Sequence, residues 1–180
     1  MAQKKTTTAT PKPKTESLFD QAVGFVLADR IEGGYVNDPR DPGGETNFGI
    51  SQRSYPKVNI KKLTRAGAIK IYKRDYWDAA HCDKLPPQVA VVAFDCAINQ
   101  GVGISRRLLQ RAAKVHVDGV VGPKTLAAVG KADELTLAKE FMGWRLKRYA
   151  FTNNAATYMR GWSNRMLELL QFLIIDLKAA

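Results

Sequence analysis

Glu32 opens a stretch of turn-forming residues that carries several groups able to perform acid–base chemistry. The stretch runs to Ser51 and reads EGGYVNDPRDPGGETNFGIS. Glu32 follows an apolar helical pattern, and the two glycines after it leave space for a ligand. A carboxylate set against apolar neighbours has a raised pKa and can act as a general acid.

A second carboxylate and a hydroxyl follow in the same stretch. Asp41 lies nine residues after Glu32, and Thr46 lies five residues further, with Asn47 beside it. Two carboxylates in different environments, with a hydroxyl that orients water, suit glycoside hydrolysis. Asp38 is an alternative to Asp41, and Asn47 is an alternative to Thr46. Ordinary turn chemistry would also account for the acidic residues and prolines here.

The pattern around this stretch predicts helices. Apolar residues recur at three- and four-residue steps from Phe19 to Ile31, and a second helix is expected to begin at Thr64, a good N-cap. The segment PQVAVVAFDCAINQG reads as a buried helix, and ISRRLLQRAAKV as an amphipathic one. After a short helix that opens at Gly122-Pro123, two longer helices are expected over 135–151 and 155–177. The best strand candidate is a small hairpin over 35–50.

Charge is distributed unevenly along the 180 residues. The formal net charge is +11, of which +4 lies in residues 1–15, zero in 16–102 and +7 in 103–180. This distribution predicts attraction to a polyanion such as nucleic acid, an anionic membrane or a cell-wall polymer. The N-terminal segment rich in Lys, Thr and Pro is expected to be a disordered basic arm. It lacks the apolar run of a signal peptide, so synthesis in the cytoplasm is expected.

The whole string from Glu32 to Ser51 resembles the signature of glycoside hydrolase family 108, the lysozyme-like N-acetylmuramidases of phage endolysins and related bacterial proteins. The resemblance continues through YWDAAHCDKLP and FDCAINQG, and VDGVVGPKTLAAV resembles a peptidoglycan-binding module. It implies a mainly α, lysozyme-like fold with a small irregular or β-hairpin lobe near the N-terminus. We expect the arm at 1–15, the catalytic domain at 16–102, and a helical peptidoglycan-binding portion at 103–180.

The resemblance also implies roles for individual residues. Glu32 matches the glutamate of the family's Glu-Gly-Gly-Tyr motif, which protonates the β-1,4 link between N-acetylmuramic acid and N-acetylglucosamine. Phage-type lysozymes use a Glu, Asp, Thr triad with five residues between the last two, whereas only four separate Asp41 from Thr46 here. We predict Glu32, Asp41 and Thr46 as catalytic residues and an inverting reaction.

Four further residues are predicted to bind substrate: Tyr35, Asn47, Phe48 and Asn99. The aromatic rings suit sugar faces but could equally anchor the loop, and Asn99 could bond an N-acetyl group or cap its helix. No cofactor is expected, and His81 beside Cys82 lacks the second pair of ligands that a zinc site needs. Cys82 and Cys96 are expected as free thiols, with a single bridge as the alternative.

Peptidoglycan is the expected partner, and the basic arm and C-terminal helices could also contact anionic membrane. We expect a monomer that binds no specific nucleic acid and acts on the periplasmic wall after membrane permeabilisation, lysing the host. A lytic transglycosylase and a non-catalytic wall-binding protein are the alternatives.

Overall fold

The protein is mainly helical, as the sequence predicts. The computed structural model describes residues 16–31, 34–37, 43–153 and 155–177. The arm at 1–15 therefore lies outside the described residues. The α-helices of the described part are α1 (Leu18–Ile31), α2 (Arg65–Tyr72), α3 (Pro87–Gln100), α4 (Val102–Ala112), α5 (Pro123–Lys131), α6 (Glu134–Ala150) and α7 (Ala155–Gln171).

Short irregular turns extend or connect these helices. π-helical turns continue α2 over Lys73–Asp78 and α7 over Phe172–Asp176, and 3₁₀ turns lie at Ile60–Lys62 and Cys82–Lys84. Among the described residues the sheet consists of two antiparallel strands, β1 (Thr46–Asn47) and β2 (Ile50–Ser51). The expected fold class, helical with a small hairpin lobe near the N-terminus, is confirmed.

Side-chain caps fix where the helices begin. The Thr64 hydroxyl accepts a hydrogen bond from the Gly67 N–H at 3.1 Å, so α2 begins as its N-cap residue predicts. Asp133 caps α6 in the same way by accepting from the Thr136 N–H at 2.9 Å. That cap explains why α6 begins at Glu134, one residue before the predicted position. Pro87 occupies the first turn of α3, where its missing N–H costs nothing.

The hydrophobic core surrounds α3, whose residues 89–97 are all buried. The ring of Phe94 meets those of Phe19 and Trp77 edge-on, with centroid separations of 5.9 and 5.3 Å. Trp77 is 1% exposed, so its ring is part of the core. Because α3 is apolar on every side, it has to be enclosed by other helices.

One buried carboxylate interrupts this apolar helix. Asp95 accepts hydrogen bonds from Arg145 of α6 at 2.5 Å and from the Arg165 Nε of α7 at 2.9 Å. Asp95 and Arg145 are completely buried. Burial alone would raise the pKa of Asp95, but the charges of the two guanidinium groups lower it overall. Asp95 therefore stays ionised and joins three helices.

The two cysteines, Cys82 and Cys96, are free and buried. The possible disulfide bridge between them is therefore absent. Burial raises the pKa of both thiols, to about 11 for Cys96.

None of the helices in the described residues is long and apolar enough to cross a bilayer. Nor does any group of three or more His, Cys, Asp and Glu side chains in this part of the chain have an arrangement that could hold a metal ion.

Replacing Asp95 by Ala is expected to reduce the free energy of unfolding by about 3–5 kcal/mol, because it leaves a buried guanidinium without its counter-charge. Urea unfolding monitored by circular dichroism measures this loss. The exposed Asp176→Ala is the control and should change the midpoint little.

Since the pKa of Asp95 is lowered in the folded state, its stabilising contribution is complete above about pH 4 and disappears as the pH falls through the lower folded value. The stability of the Asp95→Ala variant should therefore fall less steeply with acid than that of the wild type. An unchanged urea midpoint would contradict the role given to Asp95.

Candidate functional site

Thr46 lies at the centre of a small sheet. It pairs with Ser51 in the hairpin, and on its other side it exchanges two backbone hydrogen bonds of 2.8 Å with Val36. Val36 therefore acts as a third strand one residue long. The backbone of Thr46 is fixed from both sides, which is the rigidity that a residue orienting water requires.

The two candidates for orienting water lie on opposite faces of this sheet. Side chains alternate along a strand, so Thr46 and its neighbour Asn47 cannot face the same way. Thr46 shares its face with its cross-strand partners Val36 and Ser51. Val36 is 44% exposed, so this face is open to solvent and to a ligand.

Asn47 lies on the inner face and is 7% exposed. Its side-chain amide donates hydrogen bonds to the backbone carbonyls of Ile60 at 3.1 Å and Leu63 at 3.3 Å. This amide therefore fastens the hairpin to the segment that precedes α2. The contact of Asn47 with substrate stays a prediction, whereas its two hydrogen bonds hold the hairpin in place.

Phe48 occupies the hairpin turn with Gly49. Both have positive φ angles, +50° and +72°, as a two-residue type I′ turn requires. This conformation is strained for an aromatic residue. The Tyr72 hydroxyl donates to the Phe48 carbonyl at 2.9 Å, and the Phe48 side chain packs against the core. These contacts favour the anchoring interpretation of Phe48 over sugar stacking.

Tyr35 and Asn99 are the more exposed of the predicted substrate-binding residues. Tyr35 is 39% exposed beside Val36. The pKa of its hydroxyl is raised by desolvation and by its hydrogen bond to the Glu45 carboxylate. Asn99 lies exposed in the last turn of α3, where its amide donates to the Asp95 carbonyl at 2.8 Å.

Glu32, Asp38 and Asp41 lie outside the described residues. The chain on either side of them is described: α1 ends at Ile31, immediately before Glu32, and Val36 pairs with Thr46. On the far side of Asp41, the Gly43 carbonyl accepts from the Arg53 N–H at 3.1 Å. The structure thus fixes the hairpin lobe to which both acidic segments connect.

A second polar centre, which the sequence does not reveal, surrounds Gln110 of α4. This residue is 1% exposed, and its amide donates to the Asp118 carboxylate at 2.7 Å and to the Val120 carbonyl at 3.0 Å. It also accepts from the Gly119 N–H at 2.7 Å. The hydrogen bond from Gln110 is the largest cause of the lowered pKa of Asp118. Gln110 therefore holds the VDGVVGPKT turn from inside, at the edge of a groove of about 660 Å³.

Comparisons with known proteins agree with this architecture. The family model described as Glycosyl hydrolase 108 matches residues 23–101, and the one described as Predicted Peptidoglycan domain matches residues 100–167. The search of curated proteins gave no match. Among solved structures, the "Structure of Brucella abortus SagA" is similar with a TM-score of 0.79 and 34% sequence identity. The similarity covers 87% of this chain and 93% of that one.

The chain belongs to the glycosyl hydrolase 108 family. It is a peptidoglycan-hydrolysing, lysozyme-like enzyme, and peptidoglycan is its partner. The two family matches overlap at Gln100 and Gly101, where α3 ends and before α4 begins. Buried residues of both matched regions form one continuous core. The predicted division into a catalytic domain at 16–102 and a binding portion at 103–180 remains a prediction.

In this glycosyl hydrolase 108 protein, Thr46→Val and Asn47→Ala should have opposite effects. Thr46→Val keeps the β-branched shape, so it should preserve the urea midpoint while lowering peptidoglycan hydrolysis by at least tenfold. Asn47→Ala removes two buried hydrogen bonds and should reduce the free energy of unfolding by about 1–3 kcal/mol.

Urea unfolding measures the stability of each variant. The release of soluble fragments from purified peptidoglycan measures its hydrolytic activity. Ser51→Ala, on the same face as Thr46, is the matched control for the loss of a hydroxyl. Full activity of Thr46→Val would exclude Thr46 from the reaction.

Proposed function

We propose that this protein is an endolysin-type N-acetylmuramidase that cleaves the β-1,4 bond between N-acetylmuramic acid and N-acetylglucosamine, with Glu32 as general acid. The observation that carries the proposal is the fixed position of Thr46, on the open face of the sheet. The segment containing Glu32 joins this sheet through Val36. The match of residues 23–101 to a glycosidase family supports the same reaction class.

The proposed reaction is a single displacement. The Glu32 carboxyl gives its proton to the bridging oxygen, and the bond from that oxygen to the anomeric carbon breaks through an oxocarbenium-like transition state. A water molecule held by Asp41 and Thr46 attacks from the opposite face, and Asp41 accepts its proton. The configuration at the anomeric carbon is inverted. Inversion requires about 6.5–9.5 Å between the two carboxyl groups, against about 5–5.5 Å for retention.

The structure supports Thr46 rather than Asn47 as the residue that orients the water. The amide of Asn47 is buried and bonded to two backbone carbonyls. Thr46 instead lies on the face shared with the exposed Val36. We propose Tyr35 as the aromatic residue that contacts a sugar ring.

Replacing Glu32 by Gln should lower hydrolysis of purified peptidoglycan by about 10²–10⁴-fold, because an amide cannot protonate the leaving oxygen. Binding to insoluble peptidoglycan and the thermal midpoint should be unchanged. Glu168→Gln on the exposed face of α7 makes the same chemical change elsewhere and should keep full activity. Undiminished hydrolysis by Glu32→Gln would remove this residue from the mechanism.

The products of the wild-type enzyme distinguish the proposed reaction from its alternatives. Mass spectrometry should show reducing muramic-acid ends, whereas 1,6-anhydro ends would identify a lytic transglycosylase. If the protein cleaves no bond at all, the result would instead identify a non-catalytic wall-binding protein. Proton NMR at early reaction times should show the α-anomer first, as expected when a β-linkage is inverted.

We further propose that the enzyme is a monomer made in the host cytoplasm that reaches the periplasmic wall after membrane permeabilisation and lyses the host. The four lysines of residues 1–15 would attract it to anionic surfaces on the way.

Deleting residues 1–15 should leave hydrolysis of purified peptidoglycan unchanged and weaken sedimentation with anionic vesicles, more at low salt than at high salt. A variant with Gln at Lys4, Lys5, Lys12 and Lys14 keeps the length of the arm and should behave like the deletion. Loss of turnover in either variant, or unchanged vesicle binding in both, would contradict the proposed role of the arm.

A further inference from the structure

A basic groove lies between α4 and α6, and none of its described lining residues belongs to the hairpin lobe. Its volume is about 500 Å³, within the range of small-ligand sites. We define the basic groove by six of its lining residues: Arg107, Arg111, Trp144, Lys147, Arg148 and Phe151. All six lie within the region matched as a predicted peptidoglycan domain.

The groove carries positive charge that its own walls do not neutralise. Four of its lining residues are cationic, and none of the described residues that line it is acidic. Among the described residues, none of the four cations forms a salt bridge with a carboxylate. Within the described part of the chain, the Arg107 guanidinium donates a hydrogen bond to the Gly103 carbonyl of its own helix, at 3.3 Å. The groove is therefore complementary to an anionic ligand.

Trp144 provides an apolar surface between these charges. Its side chain is half-buried, with the Arg111 guanidinium 5.5 Å and the Lys147 ammonium 5.0 Å from the ring centroid. Cation–π contacts of this kind hold the cations near the ring. Phe151, which is 80% exposed, extends the apolar surface at one end. A ligand of this groove should therefore combine acidic groups with apolar ones.

We infer that the basic groove binds the carboxylates of peptidoglycan stem peptides. This inference rests on peptidoglycan as the partner of the protein. The glycan strand carries neutral N-acetyl and hydroxyl groups, so the negative charge of this polymer lies mainly on the peptides. Arg107 and Arg111 can each receive a carboxylate in a bidentate arrangement, and short alkyl side chains of the peptide can lie on Trp144.

The shape of the site favours a peptide over a membrane. A concave groove encloses a narrow chain, whereas a flat bilayer would contact only its rim and Phe151. Binding here would keep the enzyme on its polymer between cleavage events and raise the local concentration of glycan at the hairpin lobe.

The test uses the full chain and a synthetic stem tetrapeptide labelled at its N-terminus. The peptide contains no glycosidic bond, so its binding does not depend on the proposed hydrolysis. Fluorescence anisotropy should show binding of the peptide with free carboxylates and at least tenfold weaker binding of the same peptide with all carboxylates amidated. The indole N–H signal of Trp144, identified by its loss in Trp144→Phe, should shift on titration.

Two double variants compare charge inside and outside the groove. The double variant with Arg107→Gln and Arg111→Gln should bind the peptide with free carboxylates at least tenfold more weakly than the wild type does. Lys131→Gln with Arg160→Gln removes the same charge from exposed positions outside the groove and should bind as the wild type does. Circular dichroism checks that both double variants fold. The comparison of free with amidated peptide uses the wild-type protein, so it does not depend on the folding of any variant.

The inference is overturned if the free peptide does not bind, if amidation has no effect, or if the Arg107/Arg111 variant binds normally. Reduced sedimentation of that variant with anionic vesicles, without peptide binding by the wild type, would instead identify a membrane-contact surface. Hydrolysis of glycan strands stripped of their peptides should be the same in the wild type and in the groove variant. Failure of hydrolysis in both would count against the proposed function and not against the groove.

Discussion

The charge of Asp95 determines how the helices pack. A carboxylate at the centre of an apolar helix is costly to bury unless its oxygens are fully engaged by opposite charge. Arg145 and Arg165 meet this requirement from α6 and α7. The guanidinium of Arg165 also lies 5.4 Å from the ring centroid of Phe25 in α1, the helix that leads to Glu32. Asp95 therefore connects α3 to α6 and α7 directly, and to α1 through the contact of Arg165 with Phe25.

The hairpin lobe is held differently. Among the described residues it has a two-stranded sheet and the bridge at Val36, and it joins the hydrophobic core through Ile50 and Phe48. Directional polar anchors add to this packing, through the Asn47 amide and the hydrogen bond from Tyr72 to the Phe48 carbonyl. A small lobe with a few directional anchors on a rigid helical body can keep its geometry while its rim adapts to a bulky polymer.

Local patterns allowed most of the fold to be predicted from the sequence. The N-cap residue Thr64 and the early proline Pro87 placed helix starts correctly, because capping depends on neighbouring residues only. Turn residues placed the hairpin lobe, although its strands are shorter than the predicted span. The identity of the family rested on the long motif from Glu32 to Ser51 and not on helix periodicity.

Features that depend on residues distant in sequence were not predictable. Arg145 lies in FMGWRLKRY, which resembles an exposed basic face, yet it is fully buried because its partner Asp95 lies 50 positions earlier. The position of Asn47 beside Thr46 in the sequence likewise gives no sign that its amide is buried and bonded to the carbonyls of Ile60 and Leu63. The basic groove combines two helices whose charges look like ordinary solvated faces when each is considered alone. The catalytic roles predicted for Glu32 and Asp41 are based on the family resemblance and on their spacing in the sequence.

The two buried cysteines have a consequence for where the protein can stay folded. Thiolates, and not thiols, attack disulfides, and burial keeps Cys82 and Cys96 protonated by raising the pKa of each. Neither sulfur is accessible to glutathione or to an oxidising enzyme while the core is intact. The folded state is therefore insensitive to the change in redox potential between a reducing cytoplasm and an oxidising cell envelope.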